Sequence, residues 1–124
     1  MLVIAETEAR TVRTPTAEMA ALAAPSQGSA ELSTWRVRMP QGAESPVHVI
    51  DHDQVWMPVA GTFSFTVDGE DVDVRAGQAV VVPANATRQF RTAGAPAEAL
   101  VAMRADGQAG LPGSDARQAI PWAV

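Results

Sequence analysis

GAESPVHVIDHDQVWMPVAGTFSFTVDGEDVDVRAGQAVVVPANATRQFRTAG, residues 42–94, is a series of short apolar alternations cut by turn residues. Val47–Ile50 is a short apolar run closed by Asp51-His52-Asp53, which reads as a solvated turn. Gln54–Ala60 forms the next strand and Gly61 breaks it. Phe63, Phe65 and Val67 then alternate with Thr62, Ser64 and Thr66, the period of a half-buried strand. Asp68-Gly69 marks a hairpin, because both central residues of its tightest turn need positive φ. Val72 and Val74 continue, Ala76-Gly77 turns, and Ala79–Val82 is an apolar run stopped by Pro83; Arg88–Thr92 follows. Pro58 removes a ladder donor from its strand, so it should mark a sheet edge or a bulge.

Outward from this stretch, Trp35, Val37 and Met39 alternate with Thr34, Arg36 and Arg38 until Pro40-Gln41-Gly42, and Ala97–Arg104 is the last strand. The spacing of turns is that of an all-β sandwich or barrel. Residues 31–104 are the expected barrel. Residues 1–30 form an arm packing on the barrel or on a partner subunit, and 105–124 a C-terminal tail. Ala17–Ala24 is helical by propensity, yet Met19, Ala21 and Ala23 also alternate, so a short helix and an extended segment stay open. The tail is rich in Gly, Ala and Pro and reads as extended, pinned by Ile120 and Trp122.

The 124 residues fit one domain able to bury roughly two-thirds of its unfolded surface. With 47 % hydrophobic and 19 % charged residues, the chain is globular rather than disordered. It has no cysteine, which excludes disulfides, thiolate metal sites and a cysteine nucleophile. The net charge is −5 and the basic residues are scattered singly, arguing against nucleic acid as a partner. MLVIAETEAR is too short and too acidic for a signal peptide, and no apolar run reaches membrane-spanning length. The expectation is a cytoplasmic protein with no membrane partner.

Two spaced frames sharpen the fold. Gly42 is followed by five residues and His48, three residues separate Ile50 from Gln54, and six separate Gln54 from Gly61. Further on, Gly77 is followed by five residues and Pro83, then by Asn85 and Arg88. Both frames resemble the two motifs of the cupin superfamily and cover about half the chain. The resemblance implies a double-stranded β-helix, the jelly-roll barrel. It also implies four metal ligands, three histidines and a glutamate. Here His48 is kept, while Ile50, Gln54 and Arg88 stand in the other slots. Isoleucine has no lone pair, glutamine is a weak neutral ligand, and arginine is a permanent cation that repels a divalent ion. The expectation is therefore a cupin with no metal and no other cofactor. A shifted site using His48, His52 and a carboxylate is conceivable, but His52 should point to solvent at the rim.

Strand alternation puts His48 with Ile50, Gln54 with Trp56 and Pro58, and Arg88 with Phe90, which gathers a small-molecule pocket. His48 and Arg88 are the candidate catalytic pair. His48 is the group able to titrate near neutral pH, and Arg88 can anchor a carboxylate or stabilise an enolate. Ile50, Gln54, Trp56 and Phe90 are the candidate ligand-binding residues. The functional expectation is a metal-independent isomerase, cyclase or dehydratase acting on a small organic acid or ketone, of the kind that tailors products in a biosynthetic pathway. The alternatives are a non-catalytic ligand-binding cupin and a metal-dependent oxygenase with a non-standard ligand set. In the plainer reading, His48 is a hydrogen-bonded core histidine and the aromatic residues are barrel core. The resemblance further implies a homodimer with exchanged N-terminal strands, for which Leu2, Val3, Ile4, Met19 and Leu22 would be the apolar residues needing cover.

Overall fold

A computed structural model describes residues 1–124. Twelve strands account for nearly all of its regular structure: β1 (Thr11–Arg13), β2 (Glu18–Ala21), β3 (Leu32–Met39), β4 (Val49–Ile50), β5 (Gln54–Ala60), β6 (Thr62–Val67), β7 (Glu70–Arg75), β8 (Val80–Val82), β9 (Arg88–Arg91), β10 (Ala97–Arg104), β11 (Gln108–Gly110) and β12 (Gln118–Ala119). Single 3-10 turns occupy Glu8–Arg10 and Pro25–Gln27. No helix is long and apolar enough to cross a membrane.

One sheet runs β1-β2-β3-β10-β5-β8. The second has two three-stranded parts, β7-β6-β9 and β12-β11-β4. The segment leading into β4 joins them, through bridges from Glu44 to Arg91 and from His48 to Arg88. This is the jelly-roll barrel. Its core is the set of inward residues that the alternation dictates: Trp35, Val37 and Met39 from β3, Trp56 from β5, Phe63 and Phe65 from β6, and Ala97, Ala99, Val101 and Met103 from β10.

Turn chemistry places the strands as their residues require. Asp68 and Gly69 both take positive φ, +48° and +82°, and hold Val67 opposite Glu70. Asn85, in the second frame's glycine position, has φ +65°, a region that asparagine tolerates. Pro58 satisfies both of its expected settings. The register with β10 jumps from Ala60–Glu98 to Pro58–Ala99, a bulge at Val59, and β8 pairs β5 only over Gln54–Trp56. The missing N–H therefore breaks no ladder bond.

The two ends are strands of this chain's own sheets. β2 pairs with β3 along Glu18–Ala21, so the alanine-rich segment is extended rather than helical. Alanine tolerates either state, and the open edge of β3 decides. Met19 belongs to the core and Leu22 is half-buried, whereas Leu2 and Val3 are exposed. Arg36 and Arg38 are not simply solvated. Glu6 reaches both, at 3.3 and 2.9 Å, and Arg38 also meets Glu18 and Glu98, which ties the arm to the outer face of the sheet. At the other end, β11 pairs with β4, Ile120 is buried, and Trp122 packs edge-on against Trp35 at 6.5 Å.

Candidate functional site

His48 and Arg88 form a hydrogen-bonded antiparallel pair. The N–H of each donates to the other's carbonyl, at 3.0 and 2.9 Å. Residues directly opposite in such a pair project from the same face, so the imidazole and the guanidinium share one end of the barrel. Gln54 and Trp56 begin β5 opposite Met103 and Val101 of β10 and carry buried side chains to the same interior. Ile50 is buried within the core itself.

These side chains bind one another. Arg88 is 2 % exposed, and its Nη1 donates to Gln54 Oε1 at 2.7 Å. Trp56 Nε1 donates to the same oxygen at 3.1 Å. Gln54 is thus locked in one orientation, with its Nε2 left to Met103 Sδ, a weak acceptor at 3.5 Å. The Trp56 ring packs against Phe90, Phe65 and Phe63 with centroids 4.5, 5.2 and 5.6 Å away. Phe63 and Phe65 are fully buried, while Phe90 is half-buried and lies edge-on to His48 at 6.0 Å. Trp56 serves the core as well as the site.

The electrostatics are unusual. Arg88 is the one charged residue among the buried ones, and none of the chain's ion pairs includes it. Burial pushes its guanidinium down to about 10, partly offset by Asp53, so it remains a cation at neutral pH. His48 Nδ1 lies 2.8 Å from the Pro46 carbonyl. A carbonyl only accepts, so Nδ1 carries the proton and the neutral ring presents the Nε2 lone pair. Burial lowers the imidazole's proton affinity, the Pro46 bond raises it, and repulsion from Arg88 lowers it again; the net shift is downward.

That shift has a sign and a window. Because the folded value lies below the usual 6.5, the unfolded chain takes the proton first and stability falls as pH drops below 6.5. Glu6, hydrogen-bonded by Arg38, is held below the ordinary carboxylate range. So is Asp51, where the Gln108 N–H and His52 outweigh burial. Their stabilisation is present at neutral pH and is lost only below the window in which His48 titrates, as pH falls through the carboxylate range. Thermal melts of the wild type and His48→Gln between pH 7 and about 5 should therefore diverge, with the variant flatter. Parallel curves would show that His48 is not in this half-buried setting beside Arg88.

The chain's fit to a metal can be tested on these contacts. Of the four slots, only His48 offers a good donor. Ile50 is aliphatic core, Gln54 Oε1 is taken by Arg88 and Trp56, and the Arg88 guanidinium fills the fourth slot. No group of three or more His, Asp or Glu side chains in the chain is arranged to hold a metal ion. The residues present do not fit the metal that the fold implies.

His52 departs from the expected solvated turn. It is half-buried, with Nδ1 2.8 Å from Asp51 Oδ1 and Nε2 3.4 Å from Asp106 Oδ1, while Asp51 Oδ1 also accepts the Gln108 N–H at 2.6 Å. Asp53 Oδ1 accepts the Ala84 N–H at 2.8 Å. The turn is a structural knot between the barrel and the β11 hairpin, and His52 is held in it. Sequence reasoning also missed the Pro46 carbonyl, Met103 and the Pro83 carbonyl as neighbours of the site. A backbone carbonyl leaves no residue-type signal, and Met103 reads simply as a strand residue.

A two-sheeted jelly-roll with these glycine and proline frames defines a cupin barrel, here with a guanidinium where an imidazole would stand. The cupin-domain family profile matches residues 35–103, and the chain belongs to that family. Among solved structures, the chain is similar to the polyketide cyclase RemF from Streptomyces resistomycificus, at 18 % identity over 84 % of this chain and 79 % of that one, with a TM-score of 0.72. It is similar also to KdgF from Halomonas sp., at 18 % identity over 80 % and 90 % of the two chains, with a TM-score of 0.67. A sugar phosphate isomerase of the cupin superfamily from Silicibacter pomeroyi matches at 22 % identity over 80 % and 68 %, with a TM-score of 0.63. At these identities the likeness is one of fold. No curated protein matches the chain in sequence.

Proposed function

We propose that the chain is a small-molecule cupin catalysing metal-independent proton transfer on a small organic acid or ketone. The observation that carries this reading is the His48–Arg88 pair: a neutral imidazole with Nε2 free, on the same face as an unpaired buried cation. His48 Nε2 takes a proton from the carbon beside a carbonyl. The C–H electron pair becomes the enolate double bond, and the charge gathers on oxygen near Arg88. Return of the proton from Nε2 to a different atom gives an isomer. The same enolate can instead close a ring onto a second carbonyl or expel a β-hydroxyl as water. Gln54 Nε2, with only a sulfur to satisfy it, is a donor for the substrate carbonyl. A shared barrel with a cyclase and an isomerase is compatible with this chemistry, but the residues support it, since fold does not fix function.

The test is exchange of carbon-bound protons in D2O, followed by proton NMR on pyruvate and on a cyclic 1,3-diketone. The wild type should accelerate loss of the signal beside the carbonyl, and His48→Gln should lower that acceleration about 100-fold. No acceleration over buffer, or full retention in the variant, would remove the reading. The tight ring cluster around Trp56 favours one alternative, a binding module without turnover. Saturable binding without exchange would select it.

A further inference from the structure

Arg88 has a specific vacancy among its donors. A guanidinium offers five N–H groups. Nη1 is spent on Gln54, Nη2 reaches the Pro83 carbonyl only at 3.4 Å, and Nε is buried and donates to nothing. Nε and Nη2 together form the side of the fork that a carboxylate grips with two parallel hydrogen bonds. A buried donor without a partner is costly, and the same fork carries a buried charge that makes no ion pair. One ligand class removes both deficits at once.

The charge count narrows the class. His48 is neutral at neutral pH, and Asp53, the acid that acts on Arg88, stays beyond ion-pair distance of it with one oxygen turned to the Ala84 N–H. Arg88 is therefore the one charge within contact reach of a ligand on its open donors. A dianion such as a phosphate monoester would bury an excess negative charge, whereas a monocarboxylate balances it. Of the phenylalanine rings around Trp56, the one that is only half-buried is Phe90, between His48 and Trp56. A flat carbon skeleton attached to the carboxylate has that ring to lie against.

We propose that the ligand of this barrel is a small monocarboxylate, gripped side-on by Arg88 Nε and Nη2, with its skeleton against Phe90. The proposal rests on the proton-transfer reading for the role of His48, but its test does not use turnover.

The probe is sodium benzoate, with benzamide as the neutral control, added to the 15N-labelled full chain while the arginine Nε–H resonances are followed. Arg88→Met identifies the Arg88 signal by its loss. Benzoate should move that signal saturably with a dissociation constant on the order of 1 mM or tighter, and benzamide should leave it in place. Arg88→Lys keeps the charge but not the fork, and it should weaken benzoate binding, read on the benzoate resonances, at least about tenfold. An unmoved Nε–H signal, an equal response to benzamide, or unchanged benzoate affinity in Arg88→Lys would each overturn the carboxylate site. Any of these beside intact His48-dependent exchange leaves proton transfer standing. Benzoate binding without exchange does the reverse.

Discussion

Arg88→Met should make the protein more stable, by about 2 kcal/mol, and raise its thermal midpoint by roughly 5–10 °C. An unpaired buried cation normally costs several kcal/mol of lost hydration, recovered only with good geometry and saturated donors. Arg88 lacks saturated donors, with an orphan Nε, and has no carboxylate within ion-pair distance, Asp53 acting only from further off. The substitution leaves little behind to penalise. Gln54 Oε1 keeps the Trp56 donor, the backbone bonds to His48 do not involve the side chain, and methionine adapts to irregular space. A stabilised variant that no longer binds benzoate would mark Arg88 as a residue retained for a ligand at the expense of stability. If Arg88→Met is instead destabilised by a similar amount, the hydrogen bond to Gln54 outweighs the desolvation, and Arg88 is a structural arginine.

Gly61→Ala should be the most damaging small substitution in the chain, costing about 3–5 kcal/mol. Gly61 has φ +69°, and a Cβ there would sit 2.9 Å from Ala97 Cα and closer still to the Pro96 carbonyl oxygen. Both obstacles are backbone, so no side chain can yield. Gly77 is a useful comparison, since it has φ +89° but nothing within 4 Å of its missing Cβ. Gly77→Ala then bears only the left-handed conformation, about 1–2 kcal/mol. Urea denaturation of both variants measures the difference. Equal costs would mean that the strand ends at Gly61 and Ala97 separate easily, and that the glycine is there for its φ alone.

The contrast shows what spacing patterns carry. Gly61 and Gly77 are matching punctuation in the sequence, yet one is required by a close backbone approach and the other by a turn. Strand periodicity likewise put Gln54, Trp56 and Pro58 on one face, and all three are buried. It could not say that Gln54 would be locked by two donors, because Arg88 is 34 residues away and the bond depends on how two sheets face each other. His52 is the same case on a larger scale. It was expected in solvent, and its second partner, Asp106, is brought in by the turn between β10 and β11.

From the sequence by itself came the all-β barrel, the hairpin at Asp68-Gly69, and the replacement of three of four ligand slots. Each of these rests on local backbone preference or on side-chain chemistry that is the same in any surroundings. Only the tertiary structure decided that the alanine-rich segment carries the strand Glu18–Ala21, that the tail forms a hairpin on β4, and that Arg88 is buried without an ion-pair partner. Those outcomes depend on which groups from distant parts of the chain share one small volume. Burial and pairing are properties of that volume, so no single residue or spacing encodes them.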